Sequence, residues 1–574
     1  MPFKAMLAGY KREWITGDVT AGVVVAILLI PQAMAYALLV GLPASAGLYA
    51  SLLPPLLYAA FGTSRVLAVG PTAILSLMVA SALQPLAPIG TPEYMGLALT
   101  LSLMCAVLCL ILGALRAGSL VNFMSHPVIA GFMSASGIII IFSQLKHVLG
   151  LDVPVTESIP TIVKHVALGL ANTNLIALAI AAFTLLVLLL RVQIATALSR
   201  LWRRAGPYLM HLPKAMPLVV AVIGILVAWG FALAETAGLK VVGEIPRGLP
   251  SVTWPSIDLA TMERLLPAAI LIVLVGFIES VSVGKSLAGA RRQTIEPNRE
   301  LVGLGLANAG AAFTGGYPVT GSFSRSVVNF ASGANTLVSS LVTLSIVLVA
   351  LLFLTPLLFH LPQAVLASII MVAVLGLIDF GVLRRAWAFS KADGFSYLVT
   401  FVAVLGLGVV KGIVCGIIVS LVLHLWRTSR PHIAIVGRIG TSEIFRSVQR
   451  YETTTYDGLL LLRIDESLYF ANAAFLEDNV LRIVAKQPDI KDVVIICTSV
   501  NVIDASALET LERLIERLRA GGVTLHLAAV KLMVYERLQR THFLSRLSPG
   551  QVFLSTHDAV VALAGARPAP GLAG

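Results

Sequence analysis

Across 574 residues the chain carries only 12% charged side chains against 57% hydrophobic ones, with a mean hydropathy of +0.91. A soluble protein needs about 25% charge to cover its surface, so a wholly soluble enzyme or binding protein is excluded. The formal net charge of +12 lies entirely in residues 1–430, while residues 431–574 hold equal numbers of acids and bases, which excludes a nucleic-acid-binding tail.

In chain order, residues 1–18 carry Lys4, Lys11, Arg12 and Glu13. The apolar segment after them is too long for the h-region of a cleavable signal peptide, so none is expected. Apolar stretches suited to a bilayer of roughly 30 Å then recur. They fall near 17–41, 45–62, 71–84, 93–115, 121–145, 172–191 and 214–234. A second set lies near 263–287, 300–314, 323–332, 335–359, 362–378, 395–410 and 412–428. This predicts seven spans plus seven.

Basic residues orient these spans. Arg191, Arg200, Arg203, Arg204 and Lys214 separate the sixth and seventh. Lys285, Arg291, Arg292 and Arg299 follow the eighth. Arg384, Arg385 and Lys391 separate the twelfth and thirteenth. By contrast, 146–165 and 240–264 mix acids and bases. Alternating spans that start inside place every basic cluster in the cytoplasm, with both termini there.

The third member of each set is broken. VLAVGPTAILSLMVASALQ (66–84) contains Gly70-Pro71, and YPVTGSFSRSVVNFAS (317–332) contains Pro318, Gly321 and Arg325. Each reads as a short extended stretch followed by a half-helix. Matched broken segments in two halves point to a transport site between inverted repeats; singly, such residues only kink or pack a helix. A half-helix aiming its N-terminus at the membrane centre offers free N–H groups and a partial positive charge, so two of them make an anion cradle without a metal. Thr72 and Ala73 start the first and Phe323 and Ser324 the second. Arg325 adds a full charge, which in lipid must face a cavity, a substrate or a structural ion-pair partner.

Glu279, within LIVLVGFIESVSVGKS (271–286), is expected to be the only acid deep in a span. Loss of water favours its neutral form, so it can gain and lose a proton during a transport cycle. The competing expectation is a fixed Glu279–Arg325 pair that only joins helices. Gln32, beside Pro31 in the first span and followed by Tyr36, either bonds the substrate or ties helices together. Cys105, Cys109, Cys415 and Cys497 have neither zinc nor disulfide spacing and are read as small core residues. No P-loop, HExxH or GxSxG is present, so neither an ATP-driven pump nor a hydrolase is expected, and no cofactor.

After Trp426 the pattern changes to strands at 458–465, 493–500 and 523–529. An amphipathic helix over 506–520 carries Leu508, Leu511, Leu514, Ile515 and Leu518 on one face, which predicts a small α/β domain. Residues 566–574, rich in Pro, Gly and Ala, read as a disordered tail.

Four segments together resemble the SulP anion transporters, called SLC26 in animals: PQAMAYALLVGLPASAGLYAS (31–51), VGPTAILS (69–76), GFIES (276–280) and TGSFSRS (320–326). The tail resembles a STAS domain. The resemblance implies a helical polytopic membrane protein of fourteen spans, two inverted seven-span repeats divided into core and gate, over residues 1–430. A cytoplasmic STAS domain over 431–565 and a homodimer in the inner membrane are implied too. By position it implies an anion site formed by Gln32, Tyr36, Thr72, Ala73, Phe323, Ser324 and Arg325, with Glu279 as the proton-coupling residue. Asp504-Ala505-Ser506 resembles the phosphorylated turn of STAS regulators, with Ser506 the candidate regulatory residue; either Asp504 or Ser506 is equally an ordinary helix cap. The expected function is secondary active transport of sulfate with proton symport. The rivals are a dicarboxylate or bicarbonate carrier, and an uncoupled uniporter or channel.

Overall fold

A computed structural model describes residues 10–119, 125–153, 159–201, 212–245 and 248–565. Lys4, Arg203, Arg204 and the tail 566–574 lie outside them. Its contacts divide the chain into two compact units, Met1–Ser420 and Leu421–Gly574.

In the first unit, helices occupy all fourteen expected places. Nine described helices are long and apolar enough to cross a bilayer. The first span, Trp14–Val40, is packed on all sides from Val24 onward and ends at Gly41, whose φ of 93° is open to glycine at little cost. The second is split into Ala44–Tyr49 and Leu53–Phe61. The fourth to seventh are Pro92–Ala114, His126–Leu149, Leu175–Leu189 and Leu212–Gly230. The eighth and ninth are Leu259–Gly289 and Pro297–Phe313, and the eleventh is Val338–Leu358. The twelfth to fourteenth are Gln363–Leu375, Lys391–Leu407 and Val409–Thr428.

Three further helices of ten or more residues lie between spans among the described residues: Ile159–Gly169, Arg191–Leu201 and Phe380–Phe389. Their mixed polar and apolar composition masked them in a search for apolar runs. The first of them meets the sixth span at a bend of 119°.

The third and tenth segments are broken. Strand β1 (Val69–Gly70) precedes helix Ala73–Leu83, and β2 (Thr320–Gly321) precedes helix Phe323–Ala331. The strands pair antiparallel, Val69 with Gly321 and Gly70 with Thr320, and all four residues are buried. Pairing satisfies backbone groups that could not stay bare at that depth. Packing repeats between the halves. The first and eighth spans each pack on both half-helices, while the fifth packs on the thirteenth and the sixth on the twelfth. Exchanging each span with the one seven places along reproduces these pairs, and the antiparallel pairing of the strands fits an inverted repeat.

Glu279 is not the most deeply buried acid of this unit. Asp18 and Glu300 are both 0% exposed. Each sits near the start of its helix and is saturated by donors. Asp18 accepts from the Asn335 N–H (2.6 Å), the Thr336 N–H (3.0 Å) and the Thr336 hydroxyl (2.6 Å). Glu300 accepts from the Tyr58 hydroxyl (2.6 Å) and the Thr63 N–H (2.7 Å). They were missed because acids at span ends read as solvated flanks. What separates Glu279 from them is that it is half-buried and its Oε2 has no hydrogen-bond partner.

The second unit is a six-stranded sheet of order β4-β3-β5-β6-β7-β8. β3 (Ile433–Arg438) runs antiparallel to β4 (Phe445–Ser447) and to β5 (Leu459–Ile464). β5, β6 (Asp492–Ile496), β7 (Thr524–Ala528) and β8 (Val552–Phe553) are parallel. Leu460, Leu462, Val493 and Ile495 meet helices Ala473–Lys486 and Ala505–Ala520 on one face, and Leu461 and Val494 meet helix Thr556–Ala564 on the other. Leu511, Leu514, Ile515 and Leu518 are buried on the expected helical face. Burial pushes the Cys497 thiol up to about 12, consistent with an inert core residue.

Candidate functional site

The two half-helices begin alike. Thr72 caps the first by accepting from the Leu75 N–H, and Ser322 caps the second by accepting from the Arg325 N–H, both at 3.5 Å. These caps engage the third N–H of each helix. The first two N–H groups, of Ala73 and Ile74 and of Phe323 and Ser324, precede the intrahelical ladder. All four of those residues line one cavity of ≈ 290 Å³. Tyr36, Thr72, Glu279 and Ser322 complete its polar side, and Val327, Ala373, Val374, Gly376 and Leu377 its apolar side.

A chain of hydrogen bonds holds β2 in place. The Gly321 N–H donates to Ser280 Oγ (2.8 Å), Ser280 Oγ lies 2.8 Å from Thr320 Oγ1, and the Thr320 hydroxyl donates to the Gly276 carbonyl (2.6 Å). Gly276 permits this approach, since a Cβ there would sit 3.0 Å from Thr320 Oγ1. Glu279 stands between these anchors on the eighth span. The Asn308 side chain accepts from the Val319 N–H (2.9 Å) and donates to the Val319 carbonyl (3.1 Å), fixing the chain just before β2. Ser326 Oγ accepts from the Ala68 N–H (2.9 Å), tying the second half-helix to the strand of the first.

Of the expected site residues, Tyr36, Thr72, Ala73, Glu279, Phe323 and Ser324 are brought together in the cavity lining. Arg325 and Gln32 are not in it. Arg325 is 1% exposed, and its guanidinium donates to the Pro71 carbonyl at 2.7 Å, beside Gly70 of β1. Its Nε and the other terminal nitrogen have no hydrogen-bond partner. Glu279, partly open to the cavity, faces the Phe323 N–H and the field of Arg325. Among the described residues no ion pair within 4.0 Å joins Glu279 to Arg325, so the fixed-pair expectation is not realised. Gln32 is 7% exposed with its amide oxygen unpartnered.

Sequence reasoning missed Ser280, Thr320 and Asn308, which carry the scaffold, and the residues of the twelfth span. Asn308 had a legible signal, as an amide within an apolar span. Ala373–Leu377 had none, because small apolar residues there look like any helix surface.

In the second unit Asp504 supplies the cap, accepting from the Ala507 N–H at 2.8 Å, while Ser506 stands exposed on the first turn. A cavity of ≈ 370 Å³ lies at the strand ends of this unit, lined in part by Arg446, Arg463 and His557. Arg463 there is already engaged by Asp465 at 2.6 Å. The membrane cavity is the stronger candidate, because its unspent donors sit where water is scarce. No group of metal-ligating side chains occurs among the described residues.

Comparison with known proteins gives the family and the fold. The sulfate permease family profile matches residues 15–400, and the STAS domain profile matches residues 450–559. A chloroplastic sulfate transporter 4.1 of Arabidopsis thaliana is 36% identical over 96% of this chain and 80% of its own length. A probable sulfate transporter of Mycobacterium tuberculosis is 33% identical over 96% of both chains. Among solved structures, SLC26A9 superposes with a TM-score of 0.90 at 23% identity, covering 98% of this chain and 93% of that one. The transmembrane domain of the cyanobacterial bicarbonate transporter BicA gives a TM-score of 0.60 at 24% identity, covering 72% of this chain and 98% of that one.

Proposed function

The chain belongs to the sulfate permease family, a family of transporters rather than enzymes, and from that premise we propose that it is a secondary active carrier of sulfate that moves a proton with each anion through Glu279. The observation that carries this reading is the sharing of one cavity by Glu279 and the leading residues of both half-helices.

Free N–H groups and two helix dipoles favour an anion at that spot, and Thr72, Ser324 and Tyr36 add hydroxyl donors. Arg325, buried outside the cavity lining, adds charge without competing for space. An ionised Glu279 in the same cavity repels the anion, so the anion binds better when Glu279 is neutral. By reciprocity the proton binds better when the anion is present, which is the requirement for symport. A rocking of one helical group against the other then exposes the loaded cavity to each side in turn.

The basic clusters described above support an inner-membrane protein with both termini in the cytoplasm, and the resemblance supports a homodimer. Dicarboxylates would meet the same donors, and the likeness to relatives named as sulfate transporters favours sulfate over them.

The test is radiolabelled sulfate uptake into proteoliposomes with acid outside, for the wild type and Glu279→Gln. The wild type is expected to concentrate sulfate in response to the gradient. The variant, fixed in the neutral form, is expected to keep sulfate exchange and lose the response. Uptake that ignores the gradient in the wild type would refute symport and leave a uniporter or channel.

A further inference from the structure

The cavity has two unlike walls. One carries every donor, from the first, third, eighth and tenth spans. The other is the end of the twelfth span, Ala373, Val374, Gly376 and Leu377. It offers no side-chain hydrogen bond, so it does not hold the anion; it limits the space the anion can occupy. This wall is itself anchored. The Asp379 N–H donates to Ser134 Oγ at 3.1 Å, and the Tyr397 hydroxyl donates to the same oxygen at 2.9 Å. Spans five and thirteen therefore hold it in place.

Gly376 is the unusual residue of this wall. Most glycines of the unit have a visible need. Gly41 has a φ of 93°, and a Cβ on Gly47 would lie 1.9 Å from the Ala33 carbonyl. Gly376 has a φ of −69° and a ψ of −10°, which any residue adopts. A Cβ there would meet only the Ala373 carbonyl, at an ordinary 3.9 Å. Neither conformation nor packing requires glycine at this position, which follows the last helical residue, Leu375. What its missing side chain provides is cavity volume. A valine there would place three carbon atoms at the edge of a cavity of ≈ 290 Å³.

We propose that Gly376, with Leu377 beside it, sets the upper size limit of the transported anion. The inference rests on the transport reading above, and deepens it by naming what selects among dianions. A tetrahedral oxyanion held on the donor wall leaves the space over Gly376 empty or filled by water. A longer dianion, such as a four-carbon dicarboxylate, has to use it.

The experiment measures sulfate uptake by proteoliposomes in competition with oxalate and succinate, for the wild type, Gly376→Ala, Gly376→Val and Leu377→Ala. Gly376→Val is expected to raise the succinate concentration that halves uptake about tenfold relative to the KM for sulfate, in the range that one or two misplaced methyl groups produce. Gly376→Ala is expected to fall between, oxalate to shift less than succinate, and Leu377→Ala to shift the ratio the other way. Ratios within twofold of the wild type in all three variants would overturn the proposal. Should Gly376→Val fail to fold, the alanine variants still decide it. A wild type that takes up no sulfate at all would defeat the transport reading instead, and is recognised without any variant.

Discussion

Arg325 holds a buried full positive charge with one hydrogen-bond acceptor, the Pro71 carbonyl. Such a charge is costly to bury unless something negative offsets it, and the nearest charged group, Glu279, is not in contact. The arrangement is stable when an anion occupies the adjoining cavity, which makes Arg325 a source of field rather than a ligand. Arg325→Gln is therefore expected to raise the KM for sulfate about tenfold, ~1.4 kcal/mol, with Arg325→Lys intermediate. Initial-rate uptake at several sulfate concentrations measures this. A KM unchanged in Arg325→Gln would leave the residue only its structural link to Pro71.

At the scale of elements, the half-helices are held by side chains that substitute for missing backbone partners. Ser280 is the hub, accepting from Gly321 and adjoining Thr320. Ser280→Ala leaves a buried N–H without an acceptor, which costs about 1–3 kcal/mol. A lower thermal midpoint of the detergent-purified protein is expected, together with weaker sulfate affinity, because the second half-helix loses its fixed starting point. Ser102→Ala is the control, since the Ser102 hydroxyl donates only to the Ala98 carbonyl of its own helix (2.9 Å). Equal midpoints for the two variants would show that β2 does not depend on Ser280. Asp18 and Glu300 act similarly on other joints, clamping the chain after the tenth segment and before the third.

For the whole molecule, the second unit has a complete sheet and apolar cores on both faces. Residues 431–565 expressed alone are expected to unfold in one cooperative transition. Leu514→Ala, at a position 0% exposed, is expected to cost about 2–5 kcal/mol. Chemical denaturation followed by circular dichroism tests both. A broad transition insensitive to Leu514 would mean that this unit needs the membrane part in order to fold.

Composition and the spacing of apolar runs determined by themselves that this is a polytopic membrane protein with an α/β appendage. Hydrocarbon imposes length and apolarity on every span, and both are local properties. The breaks at Gly70-Pro71 and Pro318–Gly321 were legible for the same reason: glycine and proline act on their own backbone. The amphipathic face of 506–520 was likewise local. Only the tertiary structure decided which polar residues share a cavity. It kept Arg325 out of the cavity lining, parted Glu279 from Arg325, and saturated Asp18 and Glu300 with donors from residues distant in the chain. It also brought the twelfth span across from the half-helices, where Gly376 faces the site. These outcomes depend on contacts between residues far apart in the chain, and no single stretch of sequence contains them.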